Sequence, residues 1–327
     1  MSEPKKPMSY ADFAAFAPAT SGNTVNGLGE TDIRQPSPFF WHPADKHDFG
    51  ELQAEVIGYQ RRVDRIVEHY SDDAPRGPKA IQKAVERVDK PAADWTDAVK
   101  SFSLGHEGDL VGITPMDPLY VYQGYELNDP WIIIIGVAME FDELNKVPPT
   151  LEQPDSSVEV ARQYNRAARA CRELTNFILA QGYNAKAWAG PFASALSMMP
   201  AAIEAGIGTL GKHGSLINGE LGSSLRLSAV TTDMPLIADK PVDIGAEDFC
   251  LNCQVCVKAC PPGAIFNEKQ TVRGVEKWFV DFDKCIPYFG EALGCAICLA
   301  KCPWSTPGRA PKLTQKMLSR RARLAAG

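Results

Sequence analysis

Eight of the nine cysteines crowd between Cys250 and Cys302. The run Cys250-x-x-Cys253-x-x-Cys256-x-x-x-Cys260-Pro261 has the spacing with which bacterial ferredoxins hold iron–sulfur clusters. A tight turn brings three thiolates to three corners of one cube. The fourth thiolate, held back before a proline, points away toward another cube. The run Cys285…Cys295-x-x-Cys298-x-x-x-Cys302-Pro303 repeats the pattern with a longer first gap. Crossing the fourth ligands assigns Cys250, Cys253, Cys256 and Cys302 to one 4Fe–4S cluster, and Cys260, Cys285, Cys295 and Cys298 to a second. Zinc is the competing reading, but zinc sites close on four ligands within one small unit and rarely carry two x-x-x-Cys-Pro endings. Disulfides are disfavoured in a reducing compartment. Two adjacent cubes make a conduit for single electrons, so the rest of the chain must use electrons or pass them on. Cys171 stands apart within a helical pattern and reads as a buried structural thiol.

Two further motifs carry less chemistry than their letters suggest. Gly206-Ile207-Gly208-Thr209-Leu210-Gly211 fits the dinucleotide fingerprint, which needs a strand before it and a helix after it. Here the helical stretch AAIEA precedes it and Lys212-His213-Gly214 follows. A backbone with three flexible points, able to lie against a flat ligand, is the better functional reading, and a plain glycine-rich turn is the alternative. Asp45-x-His47-x-x-Gly50 fits a corrinoid-ligating histidine motif. That motif belongs on a strand-to-helix loop, whereas HPADKHDFG lies among prolines with no strand before it, so we read it as chance. His42, His69 and His106 have no recognisable partners, and His213 borders the glycine turn.

These residues need positioning elements, and the pattern supplies them. The spans 110–113 and 131–139 read as buried strands, the second apolar enough for a central position covered on both faces. A long amphipathic helix is expected over 157–181, closed by Gly182. A strand over 185–188, a short helix over 200–205 and an alternating strand over 225–232 follow. Apolar residues at helical spacing fill 51–70, a short helix is expected near 94–99, and a basic helix ends the chain. The organisation expected is an N-terminal region of unclear role (1–105), an α/β catalytic core (106–245), a ferredoxin-like module (246–305) and the basic helix (306–327). The net charge of −6 excludes a generic nucleic-acid binder with a basic face. The longest apolar stretch is about half of the roughly 20 residues that a membrane-spanning helix needs. With no apolar leader at the N-terminus, a cytoplasmic protein without a membrane span is expected.

The stretch 205–265 resembles the cobalamin-dependent reductive dehalogenases. The residues that carry the likeness are AGIGTLGKHGSLIN, the arginine-containing strand LRLSAVTTDMPL, and ADKPVDIGAEDFCLNCQVCVKACPPGAI. The related epoxyqueuosine reductases share the glycine turn, the cysteine spacing and the Cys302-Pro303-Trp304 ending. The likeness covers roughly 109–304 and is absent over the first hundred residues. It implies a nitroreductase-like α/β core holding cobalamin base-off, followed by a bacterial-ferredoxin-like two-cluster module. Gly206, Gly208, Gly211, His213 and Ser215 are the implied cofactor contacts. Family chemistry reduces cobalt to Co(I) through the clusters, while a tyrosine paired with a basic residue protonates the carbon that loses halide. The basic residue maps onto Lys212 and the tyrosine onto Tyr164. A phenol can donate a proton at neutral pH if a nearby cation stabilises the phenolate.

The chain also departs from its models. Epoxyqueuosine reductases carry an acidic proton donor where this sequence has GPFASALSMMP, and an asparagine that some dehalogenases place there is missing, with Gly190 nearby. A pocket lined by Trp188, Phe192, Met198 and Met199 is therefore expected, suited to a hydrophobic or aromatic organohalide. A ferredoxin or flavodoxin is the expected electron donor. C–O reduction in a modified nucleoside and a non-catalytic role in electron transfer or corrinoid reduction are the alternatives, but a simple carrier needs no such length of chain ahead of its cysteines.

Overall fold

Four consecutive isoleucines, Ile132 to Ile135, are wholly buried, which a single strand can achieve only if both faces of its sheet are covered. In the computed structural model, which describes residues 6–70, 76–192 and 195–326, that strand lies inside a four-stranded sheet. The strands are β1 (Leu110–Pro115), β2 (Trp131–Ala138), β3 (Ala185–Ala189) and, after the small hairpin β4 (Thr209–Leu210) and β5 (Leu216–Ile217), β6 (Leu225–Thr232). The order is β1-β2-β6-β3 and every pairing is antiparallel. The period of two sends Ile133, Ile135 and Val230 into one core with Cys171, Leu174 and Ile178. Ile132, Ile134 and Ala229 enter the opposite core with Ala201 and Ala202. Truncating one of these isoleucines to alanine would cost about 2–5 kcal/mol.

The first face is covered by the long helix Asp155–Ala180 and the helix Ala92–Leu104, the second by Met198–Glu204. The long helix ends where Gly182 takes φ +84°. A side chain there would meet the Glu86 carbonyl oxygen at 2.4 Å. The helical pattern of 51–70 divides into Gly50–Gln60 and Asp64–Tyr70. A second small strand pair, β7 (Gln270–Val272) and β8 (Val275–Lys277), lies within the cysteine-rich segment.

The N-terminal segment, which the sequence left without a role, packs on the cysteine-rich segment. Phe13, Phe40, Phe49, Leu52, Val56 and Tyr59 form one core with Ala161, Ile286 and Leu293. The Asp283 carboxylate accepts from the Gly22 N–H at 2.7 Å, and Asn23 Nδ2 donates to Asp281 at 2.8 Å. The closing helix Arg309–Ala326 lies against Ala246–Asn252, held by Arg321 on Asp248 at 2.7 Å and on Asp243. Among the described residues, no helix is long and apolar enough to cross a membrane.

Candidate active site

Cys250, Cys253, Cys256 and Cys302 surround one small hollow, together with Lys212, His213, Phe249, Pro303 and Trp304. These are the four that the crossed arrangement assigns to one cube. Cys260, Cys285, Cys295 and Cys298 lie near enough to act on one another's charge. All nine cysteines are free thiols. Among the described residues, no three His, Cys, Asp or Glu side chains close on a single-ion point. Burial pushes Cys250, Cys256 and Cys295 up to about 11, and Cys285 and Cys302 up to about 12. Four clustered thiols cannot ionise together in so dry a place unless iron takes up their charge, so this donor set fits an iron–sulfur cube.

Cys285, Cys295 and Cys298 also form one wall of a cavity of about 670 Å³. Tyr70, Tyr164 and Arg226 line it too, as do the apolar side chains of Trp41, Ile57, Phe192 and Phe289. The meeting of Tyr164 with Arg226 follows from the two periodicities. On β6 the alternate positions Arg226, Ser228 and Val230 turn toward the long helix, and Tyr164 lies on the facing side of that helix. The guanidinium carbon stands 5.2 Å from the Tyr164 ring centre, and Tyr70 is 6.5 Å away from the same ring. Gly190 makes room for this ring, since a Cβ there would fall 2.6 Å from Tyr164 Cε1. Burial pushes the Tyr70 phenol up, beyond its ordinary range. Among the described residues, Arg226 has no carboxylate partner, its Nε is buried without a hydrogen bond, and Ser156 Oγ on the same wall is likewise unsatisfied. No carboxylate lines the cavity among the described residues.

His213 stands between the two hollows and is buried. Its Nδ1 accepts from the Ser215 N–H at 3.2 Å, which leaves the proton on Nε2, donated to Ser223 Oγ at 2.9 Å. Burial lowers its pKa to about 4, so it is neutral at ordinary pH, with both nitrogens committed. His47 is committed in the same way: Nδ1 accepts from the Phe49 N–H at 3.1 Å and Nε2 faces the His42 carbonyl at 3.3 Å.

Several sequence expectations meet a different geometry. Lys212 does not line the cavity with Tyr164; it turns into the four-cysteine hollow, and Arg226 is the cation that faces the tyrosine. Gly206, Gly208 and Gly211 do not line the cavity either. Added Cβ atoms would meet the Lys240 carbonyl at 2.5 Å, the Ile217 carbonyl at 2.3 Å and Ile217 Cδ1 at 2.7 Å, so these glycines serve the chain's own close packing. His213 and Ser215 of that turn do reach the cavity. Of the four apolar residues expected in the pocket, Phe192 lines it. Trp188 is instead buried in the second core, its indole donating to Thr231 at 3.0 Å, with Met198 and Met199 packed alongside. Trp41, Ile57 and Tyr70 come from the N-terminal segment, where no sequence signal pointed to the cavity. Arg226 had a signal, the lone charged residue of an otherwise uncharged strand.

A 4Fe-4S dicluster domain matches residues 249–306. Tetrachloroethene reductive dehalogenase of Sulfurospirillum multivorans is 32% identical over 184 residues, which is 53% of this chain and 35% of that protein. Epoxyqueuosine reductase of Salmonella typhimurium is 30% identical over 206 residues, covering 55% of this chain and 50% of the other. The fold resembles the catabolic reductive dehalogenase NpRdhA, solved with 3-bromo-4-hydroxybenzoic acid, at a TM-score of 0.73 and 22% identity. That likeness covers 94% of this chain and 47% of NpRdhA. The chain therefore spans between about a third and a half of these three proteins. By sequence and by fold together, the chain is a relative of the reductive dehalogenases, with the epoxyqueuosine reductases also related.

Proposed function

We propose that the chain is a corrinoid-dependent reductive dehalogenase that removes halide from a hydrophobic or aromatic organohalide. The observation that carries this reading is one cavity with cluster-type cysteines on one wall and a tyrosine–arginine pair on another. The reaction replaces a carbon–halogen bond by a carbon–hydrogen bond, consuming two electrons and one proton and releasing halide. A corrinoid held in the cavity would supply a low-valent metal centre for the carbon–halogen bond. The unsatisfied Ser156 Oγ and Arg226 Nε fit a group that brings polar atoms to that wall.

The chain's own part is proton delivery, charge compensation and exclusion of water. Tyr164 gives its hydroxyl proton to the carbon that loses halide, and Arg226 steadies the phenolate left behind. Arg226 thus takes the role that the sequence suggested for Lys212. Trp41, Phe192 and Phe289 offer aromatic faces to an apolar substrate. The ring nitrogens of His213 and His47 are both engaged within the chain, so neither residue would supply a nitrogen to the corrinoid's metal. Two 4Fe–4S clusters on the crossed cysteine sets would carry electrons from a donor such as a ferredoxin or flavodoxin. The sequence GPFASALSMMP, where epoxyqueuosine reductases carry their acidic donor, disfavours the acid-assisted C–O reduction.

The test is anaerobic: reconstituted protein with cobalamin, a low-potential reductant and a series of halogenated phenols, with free halide measured against time. Halide release that needs both cofactors is expected. Full occupancy of both without halide release from any organohalide would refute the proposal.

A further inference from the structure

Lys212 is among the largest fully buried side chains of the molecule, 1% exposed. Its Nζ has no hydrogen-bond partner among the described residues. A buried ammonium without such a partner is costly, and folds retain one only where something of opposite charge or a π-face compensates. One compensation is visible: Nζ lies 4.8 Å from the centre of the Trp278 ring. That ring is itself fixed by its indole N–H donating to Glu247 at 3.1 Å. The other compensation is the hollow that Lys212 lines with Cys250, Cys253, Cys256 and Cys302. A cation that lines this hollow faces the negative charge of the thiolates gathered there.

Lys212 does not line the cavity that Cys285, Cys295 and Cys298 share. Near that set the Asp281 carboxylate is already paired with Lys284 Nζ at 3.1 Å, and Cys260 Sγ accepts from the Ala264 N–H at 3.3 Å. Cluster potentials follow net charge and hydrogen bonds to sulfur, because each added electron makes the cube more negative. A buried cation beside one cube, with no hydrogen-bond partner among the described residues, lowers the cost of an added electron there.

We infer that Lys212 makes the cluster held by Cys250, Cys253, Cys256 and Cys302 the higher-potential member of the pair. An entering electron then rests there before it reaches the cluster whose Cys285, Cys295 and Cys298 line the cavity. Lys212 is a tuning residue for electron delivery, which accounts for its placement away from Tyr164. The inference rests on the iron–sulfur half of the proposed function and is independent of dehalogenation.

The experiment is a redox titration of the anaerobically reconstituted full chain, followed by electron paramagnetic resonance, in the parent, Lys212→Met and Lys212→Arg. Iron and sulfide are quantified in each. Two midpoints are expected in the parent. Lys212→Met should weaken the electron affinity of the higher one about tenfold, which is about 59 mV for one electron, and leave the lower one in place. Lys212→Arg, which keeps the charge, should lie close to the parent. Unchanged midpoints in Lys212→Met, or an equal shift in Lys212→Arg, would overturn the inference and leave Lys212 as packing. If Lys212→Met loses iron, Lys212→Gln is compared with Lys212→Arg, and equal midpoints in those two overturn it as well. Loss of halide release with normal midpoints would bear on the proposed reaction alone.

Discussion

Replacing Arg226 by glutamine keeps a polar side chain on β6 but removes the cation that faces Tyr164, so it isolates the electrostatic part of proton delivery. In the resting site the tyrosine is neutral and the guanidinium gains little from it. Once the proton has left, a unit negative charge faces a unit positive one, and the distance from the guanidinium carbon to the ring centre, 5.2 Å, sets the scale. With an effective dielectric constant of about 20, an attraction of 332/(εr) at about 5 Å amounts to about 3 kcal/mol. At about 1.4 kcal/mol per decade, that is about 10²-fold in the rate of the protonation step. Tyr164→Phe removes the proton itself and should cost about 10²–10⁴. Because the two side chains act as a unit, Tyr164→Phe/Arg226→Gln should be little slower than Tyr164→Phe alone. The assay is single-turnover halide release at matched iron and corrinoid occupancy, with iron content measured for each variant. Full turnover in Tyr164→Phe, or strictly additive losses in the double variant, would refute the reasoning.

Three other outcomes follow from particular contacts. Anaerobic reconstitution should give about eight iron and eight acid-labile sulfide per chain, unchanged in Cys171→Ser, whose buried thiol lies in the first core away from both cysteine sets; iron near four, or zinc as the dominant metal, would remove the two-cluster assignment. Gly190→Ala places a Cβ 2.6 Å from Tyr164 Cε1 and should shift the ring enough to slow halide release about 10²-fold while leaving iron content at the parent level. Burial works to raise the Glu107 carboxyl, but the guanidiniums of Arg169 at 2.6 Å and Arg166 at 3.3 Å overcome it and hold the carboxyl below its ordinary value. The unfolded chain therefore binds this proton first as pH falls, so the stabilisation is complete above about pH 4.3 and is lost progressively below it. Denaturant titrations should show a shallower acid limb in Glu107→Gln, and an identical limb would show that the pair does not couple to folding.

The cysteine sets were legible because ligand spacing is a local property of the chain. Three thiols two residues apart must share one turn, and the fourth before proline must point elsewhere. The central strand, the long helix and β6 were legible for the same reason, since their periods of two and 3.6 are written within each segment. The partner of Tyr164 was not. Lys212 and Arg226 are both cations near the glycine turn in sequence, and spacing alone could not say which one faces the tyrosine. Strand pairing decides it, because β6 runs through the sheet with Arg226 on the side of the long helix, while the turn at 211–214 folds Lys212 back against the cysteines. The packing role of these glycines was not legible, because a flexible backbone looks the same in sequence whether a ligand or the chain's own carbonyls press against it. The N-terminal segment gave no warning that Trp41, Ile57 and Tyr70 close the cavity, since apolar residues at helical spacing carry no record of what covers them. Sequence by itself determined the chemistry the chain can host, because ligands and periodicities are local. Only the tertiary structure decided which side chains share the cavity, because that depends on the packing of elements far apart in the chain.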